Sequence, residues 1–463
     1  MIGRERALEI SHRALSSVSA DQVEVMLLTE EAALTRFYNS RIHQNVERED
    51  LLVSVRLIAN GGLGQAYTSS DSPDGLRDVG KRALEIALSR PKTARFGFSC
   101  GGEVSQVQTF FEGTAVFGPD SRACLVGQMA AVADLDGYLI HGAVQTDRYE
   151  IAVITSSGAS QYVPLTMGAI RVVAASDQGA TGFAEGISRD IYQLDPEALA
   201  RRSVKKCRLN HGRASLPPGS YVTILEEIAV ADLVRFLGTL GLNGQAVQEG
   251  RSFAGDRVGQ QVIDSRLTLS DDPWDPRGLV MPFDYEGTPK RPVTLIEHGV
   301  LRQVVHDLQT AALAGTQSTG HAAPPDPEAM TGYPAPTNLF LDGGDSSVED
   351  MIANTEVGVL VTCLHYTNSP DPRRVVVTGT TRDGTYLIKN GKIAGALFDQ
   401  RFRQSVLEAL NSVIAIGKEP QLHRDWWCGG GISMQHGVIN PTAHHVPALQ
   451  VARFDFVGES PRL

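Results

Sequence analysis

Several things are scarce in this sequence, and each scarcity removes a class of function. Positive charge is in deficit: 42 Lys and Arg stand against 53 Asp and Glu, a net charge of −11 at pH 7. Proteins that hold polyanions neutralise phosphates and release counterions, so nucleic acid is not the expected partner. Cysteine is sparse. The five present, Cys100, Cys124, Cys207, Cys363 and Cys428, are scattered and form no CxxC pair. That pattern argues against a zinc ribbon or a redox dithiol and fits a reducing compartment. Long apolar runs are missing too. The opening MIGRERALEISHRAL mixes charge and apolar residues at helical spacing, without the apolar core of a signal peptide or the length of a membrane span. The expectation is a cytoplasmic protein with no membrane partner.

What remains is ordinary globular material, and 463 residues suffice for a core in each of two or three domains. Helical spacing over residues 4–17 precedes strand-like runs from Val23 to Ser70, broken at Asn39-Ser40 and Gly61-Gly62. Asp71-Ser72-Pro73-Asp74 then supplies an N-cap and first turn for a helix that Pro91 stops. These elements make residues 1–95 a first α+β unit. A Gly- and Phe-rich stretch, a helix over 121–134, further strand runs and the helical ALARRSVKKCRLN form a second α+β unit, 96–215, ending in the turn-rich HGRASLPPGS. Short apolar strands punctuated by Gly, Asp and Pro fill 216–463, with helices expected at about 228–241 and 401–416. The fold class is therefore α+β, with a mainly antiparallel C-terminal domain built as a sandwich or barrel. The Pro-rich stretch 321–338 predicts an exposed loop.

Two runs, PFDYEGTPKRPVTLIEHGVLRQVVHDLQTAALAGTQSTGHAAP and APTNLFLDGGDSSVEDMI, closely resemble the core of the TldD/PmbA family. TRFYNSRIHQNVERED with GGLGQAYTSS, and ITSSGASQYVP with PPGSYVTILEE, extend the likeness over nearly the whole chain. In that family the TldD-type subunit carries an H-E-x-x-x-H helix whose histidines, with a later cysteine, hold zinc; the TldE/PmbA-type subunit lacks it. This chain resembles the second type. After YVTIL it reads Glu226-Glu227-Ile228-Ala229-Val230-Ala231, so Glu226 and Ala231 stand where the resemblance puts the two imidazoles, and nowhere is His followed by Glu.

A catalytic zinc needs about three protein ligands and an open position for water, and an alanine methyl cannot ligate. No metal is therefore expected in this chain. Glu227 keeps the type of a general base, although Glu226 and Glu227 are read first as a charged first turn facing a helix dipole. Cys428, in WWCGGGIS, resembles the family's late cysteine; it is read as a neutral thiol, with a ligand or nucleophile as alternatives kept open by His423, His436, His444 and His445 nearby in sequence. Glu226, Glu227, Cys428, Gly429 and Gly430 are the candidate substrate or partner cleft, and Glu227 and Cys428 the candidate catalytic groups. His298, His306, His321 and His365 show no ligand spacing, and Asp271-Asp272-Pro273 and Asp284-Tyr285-Glu286-Gly287 read as turns.

The resemblance implies a noncatalytic subunit of a peptidase complex that handles extended peptides, paired with a TldD-like zinc-bearing subunit or with a second copy of itself. The alternative is a component of a divergent amide hydrolase complex acting on a small biosynthetic intermediate. A third reading, from the family's older label as a gyrase modulator, is a binding module; the acidic charge argues against direct DNA contact.

Overall fold

Left-handed turns set up the first sheet. Asn39 and Ser40, with φ of 49° and 59°, join β1 (Gln22–Tyr38) to β2 (Arg41–Ala59), and Asn60 and Gly61 join β2 to β3 (Gly62–Thr68). With β4 (Leu139–Thr155), β5 (Ser160–Ala175) and β6 (Thr181–Ser188) they form a six-stranded antiparallel sheet in the order β3-β2-β1-β4-β5-β6. The computed structural model from which these elements are taken describes residues 1–92, 94–324, 334–424 and 442–460. The division drawn at residue 95 falls between β1 and β4, which pair from Glu24↔Thr155 to Phe37↔Gly142. One sheet thus runs across that division.

Helices cover one face of this sheet. Ala7 and Ile10 of α1 (Arg4–Ser16) and Leu76, Val79 and Ala83 of α2 (Pro73–Ser89) pack on Val23, Val25, Leu27, Val53, Val55 and Leu57. After the single turn α3 (Glu112–Ala115), Val126 and Met129 of α4 (Pro119–Asp134) join Ala200 and Val204 of α5 (Pro196–Leu209) over Val144, Ile170 and Val172. The starts of α2 and α5 are written locally. Ser72 accepts from the Gly75 N–H and Asp195 from the Ala198 N–H, each followed by proline at the first helical position. The opposite face, carrying Met26, Leu28, Ile151, Val153, Val163 and Leu165, is buried against Leu279, Met281, Phe283 and Tyr285 of the C-terminal half. Burial on both sides explains why β1 begins VEVMLL with little polar alternation.

In the C-terminal half, β7 (Gly219–Leu225), β12 (Val357–Asp371), β13 (Val376–Lys389), β15 (Gln400–Ser405) and β19 (Leu449–Glu459) form a barrel. Its order is β12-β7-β19-β15-β13, closed by pairing of β12 with β13; β14 (Lys392–Ala396) extends β13 and β16 (Val413–Ile416) pairs with β19. A second sheet runs β10-β9-β8-β11-β18-β17, from β8 (Leu269–Asp271), β9 (Val293–Glu297), β10 (Val300–Leu301), β11 (Asn338–Leu341), β17 (Gln421–Arg424) and β18 (Ala443–Val446). β7–β12 and β11–β18 are parallel pairs, while the other pairs between named strands are antiparallel, as the α+β reading expects. Between barrel and second sheet lies α6 (Glu227–Phe236), whose Val230, Leu233, Val234 and Phe236 enter the shared core. The short helices α7 (Gly244–Gln248), α8 (Leu308–Ala314), α9 (Val348–Ala353) and α10 (Val406–Asn411) occupy connections.

Two local expectations are corrected and a third is refined. The helix expected over 401–416 is instead β15, the short α10 and β16; Phe402 and Gln404 are buried while Arg401 and Arg403 are exposed, a period of two. The helix expected at about 228–241 is present over 227–241, as α-helix to Phe236 and then as a π-helical turn, Leu237–Gly241. The stretch 321–338 is not exposed at its described ends. His321, Ala322 and Asn338 are buried, because the Asp271 carboxylate gathers His321 Nε2 and the Thr337 and Asn338 N–H groups; residues 325–333 lie outside the described residues.

Charge is buried at the seam between the halves. Arg56 of β2 grips Glu24 through Nε and Nη2, both at 2.9 Å, and reaches Glu286 of the C-terminal half at 2.6 Å. Asp284 beside it accepts the N–H groups of Glu286, Thr288 and Ala322. Burial pushes Glu24 up to about 7, and burial with the neighbouring Glu286 charge pushes Asp284 up to about 8. Both folded-state values exceed the unfolded ones, so the folded chain holds protons that the unfolded chain releases, and stability falls as pH rises through this range. Thermal unfolding is expected at a higher temperature at pH 6 than at pH 8.5, with part of the difference lost in Asp284→Asn. An equal or higher unfolding temperature at pH 8.5 would contradict this assignment.

Candidate functional site

The site grows from the junction of β7 and α6. β7 is held between β12 and β19, and its last residue, Leu225, is fully buried. Glu226 caps α6 in an extended conformation, donating its N–H to the Val361 carbonyl but leaving its side chain free of capping duty. That side chain turns to α5. Its carboxylate takes the Lys206 ammonium in a short ion pair and has Arg202 at 3.8 Å, while Glu227 takes Arg202 at 2.7 Å. Arg202 and Lys206 are four residues apart and so share a helix face. The Tyr386 hydroxyl donates to the Lys206 carbonyl and fixes this end of α5 against the barrel. Burial alone pushes Glu226 up, but Lys206 and Arg202 outweigh it and hold the carboxyl below its ordinary range. The four charges line a cleft of about 520 Å³ that reaches Ser347 and Lys418.

The structure thus brings Glu226 and Glu227 together, and adds two cations that sequence reading missed. A signal was available: RRSVKK at 201–206 places bases four apart on a helix just before the strand that leads to Glu226. Cys428, Gly429 and Gly430, with Gly431 and His436, lie outside the described residues.

The residues at positions 226 and 231 do not fit a zinc ion. The Glu226 carboxylate is committed to Lys206, and Ala231, five residues on, lines a different cleft altogether. Among the described residues, no group of three or more His, Cys, Asp or Glu is placed to share a metal.

That other cleft, about 200 Å³, lies between the N-terminal sheet, α6, β12 and the β17–β18 pair. On its wall Glu185 of β6 accepts from Arg171 Nε at 3.1 Å and from His423 Nδ1 at 3.0 Å. Although burial pushes Glu185 up, Arg171 and then His423 hold it below the usual carboxylate range. His423 faces His444 across the strand pair, and both are buried. Sequence reading noted these histidines only as neighbours of Cys428; Glu185 and Arg171 gave no local signal, because cross-sheet contacts bring them in.

Of the remaining polar candidates, His298 is exposed, and the others have structural partners among the described residues. His321 bridges Asp271 and Thr319, His306 Nδ1 meets the Thr310 hydroxyl at 3.2 Å, and His365 meets Arg382. Asp284 takes N–H groups two and four residues ahead, the turn chemistry its sequence suggests.

Comparison with known proteins gives this geometry a lineage. Residues 218–458, just over half the chain, match the model of the PmbA/TldA metallopeptidase C-terminal domain, and residues 23–87 match that of PmbA/TldA metallopeptidase domain 1. A metalloprotease TldD homologue of Buchnera aphidicola subsp. Acyrthosiphon pisum is 25% identical over 444 residues, covering 91% of this chain and 89% of the relative. A metalloprotease of Methanothermobacter thermautotrophicus is 24% identical, covering 80% and 82%. Among solved structures, TldE from Thermococcus kodakarensis superposes with a TM-score of 0.84 at 20% identity, covering 98% of this chain and 99% of that one. A Thermotoga maritima protein described as a candidate modulator of a DNA gyrase gives 0.81 at 19% identity, covering 97% and 99%. These structural likenesses establish the fold, and the domain matches establish descent: the chain belongs to the PmbA/TldD metallopeptidase family and lacks its H-E-x-x-x-H motif.

Proposed function

We propose that this chain is the non-hydrolytic member of a TldD/TldE-type peptidase complex that acts on extended peptides in the cytoplasm, its zinc supplied by a TldD-like partner. One observation carries the reading. At the helix where the family places its metal, Glu226 and Glu227 are neutralised by Arg202 and Lys206, and Ala231 offers no donor. A carboxylate without metal-activated water has little to deprotonate near neutral pH, so Glu227 is a scaffold charge here. The contribution of the chain is geometric: it completes the assembly and helps to hold the peptide for the partner's zinc. Among the described residues no helix is long and apolar enough to cross a membrane.

The test is metal analysis and peptide hydrolysis. Purified alone, the chain is expected to carry far less than one zinc per polypeptide and to cleave no unfolded peptide; co-purified with an H-E-x-x-x-H partner, cleavage appears and depends on the partner's histidines. One tight zinc per isolated chain would overturn the proposal.

A further inference from the structure

A third cleft, of about 880 Å³, opens where the turn Pro372–Arg374, β15, α10 and β19 meet residues 252–262. It is larger than either cleft described above and falls within the roughly 300–1,000 Å³ of ligand sites. Its walls are mostly polar and carry four guanidiniums, Arg257, Arg373, Arg374 and Arg453, in a chain whose net charge is −11. Elsewhere the protein neutralises arginine closely: Arg48, Arg56, Arg171 and Arg202 each grip a carboxylate. In this cleft the arginines are left loose. Arg374 reaches Glu408 only at 3.8 Å, between two exposed side chains, and Arg257 reaches the Gln261 carbonyl only at 3.5 Å. The exposed side chains of Arg373 and Arg453 have neither a hydrogen bond nor an ion pair among the described residues.

The backbone under two of these arginines is held firmly. Asp371 accepts the Arg374 N–H at 3.2 Å, and Pro372 fixes the first position of the turn. Val375 follows, fully buried, with φ of 47°, and its carbonyl takes the Val406 N–H of α10 at 2.9 Å. A β-branched residue in the left-handed region is a backbone outlier, and strain of this kind collects where a structure presents groups for a purpose.

Unpaired guanidiniums on a fixed support invite an anion, and their planar fork matches a carboxylate two bonds at a time. The other wall groups say how the charge must be arranged. Asp256, Glu408 and Asp455 stand among the arginines. They would oppose a centre that gathers several negative charges, whereas single charges spaced along a chain can meet the arginines and avoid the acids. The overall negative charge argues against a polynucleotide. We propose that this cleft binds an acidic peptide segment, whose Asp or Glu carboxylates pair with the guanidiniums of Arg373 and Arg453. The inference stands apart from the source of the zinc, since every group it uses belongs to this chain.

The experiment is calorimetric titration of the purified full-length chain, at low salt, with N-acetylated, C-amidated hexapeptides of glutamate, glutamine or lysine and with inorganic tripolyphosphate. The glutamate peptide is expected to bind at least about tenfold more tightly than the other two peptides. Arg373→Gln with Arg453→Gln should remove that preference; both side chains are exposed, and an unchanged unfolding temperature shows that the fold is kept. Arg77→Gln with Lys81→Gln, on the exposed side of α2, removes the same charge elsewhere and should leave binding as it was. The proposal is overturned if the glutamate peptide does not bind at millimolar concentration, if the glutamine peptide binds as well, or if the cleft variant keeps the preference. It is overturned equally if the α2 variant loses as much, which would make the attraction a general one, or if tripolyphosphate binds more tightly than the glutamate peptide. Zinc or hydrolysis in the isolated chain would sink the partner reading alone, and indifference to the glutamate peptide would sink only this one.

Discussion

Replacing Lys206 by methionine is expected to destabilise the protein by about 3–5 kcal/mol, the usual cost of removing one member of a buried ion pair. Lys206 and Glu226 are both buried, and Arg202, the other cation near Glu226, is 3.8 Å away and already engaged by Glu227. Without the ammonium, Glu226 faces an interior that cannot solvate it. The carboxyl, held below its ordinary range in wild type chiefly by Lys206, would lose that support and shift upward. Adding Glu226→Gln should recover most of the loss, since a buried pair replaced on both sides is often near neutral. Denaturant unfolding of the two single variants and the double variant measures the coupling, and a double variant no better than Lys206→Met would show that the pair is not the unit described.

Arg56→Met is expected to have an effect of similar or larger size, and one that depends on pH. Arg56 bonds to both Glu24 and Glu286, whose side chains are 5% and 4% exposed. Its ring neighbours, Phe96 and Phe98, lie with centroids 5.9 and 5.0 Å from the guanidinium carbon and offer no replacement charge. Once it is removed, two buried carboxylates confront each other across the seam. A loss of about 3–5 kcal/mol is the expectation for an uncompensated buried charge. Because the carboxyls can shed their charge by binding protons, the loss should be smaller at pH 6 than at pH 8. Chemical denaturation at the two pH values reads this directly, and a loss under about 1 kcal/mol at pH 8 would mean that water or another cation already serves the pair.

How much was legible beforehand follows from where each signal sits. Ser72-Pro73 and Asp195-Pro196 announce helix starts because caps are local chemistry, and Asn39-Ser40 marks a hairpin because few residues accept that backbone. The absence of imidazole at 226 and 231 is plain in the sequence once the strand before α6 is recognised. The segment 401–416 was misread because apolar residues at irregular short spacings fit a helix as well as a strand, and the pairing of β15 with β13 and β19 decides between them. Arg202 against Glu227, Lys206 against Glu226, and Glu185 against His423 join residues 25, 20 and 238 positions apart. No periodicity encodes such a meeting; it is a product of how the sheet and barrel dock.

The sheet at the front of the molecule has oil on both sides. Met26, Leu28, Ile151, Val163 and Leu165 rest on Leu279, Met281 and Phe283 as fully as their neighbours in the strands rest on the helices. Cut free near residue 215, the leading portion would present a broad greasy plane to solvent and lose Glu286 from the grip of Arg56. The two portions share this seam along one tracing of the backbone, and a single unfolding transition is the expected consequence.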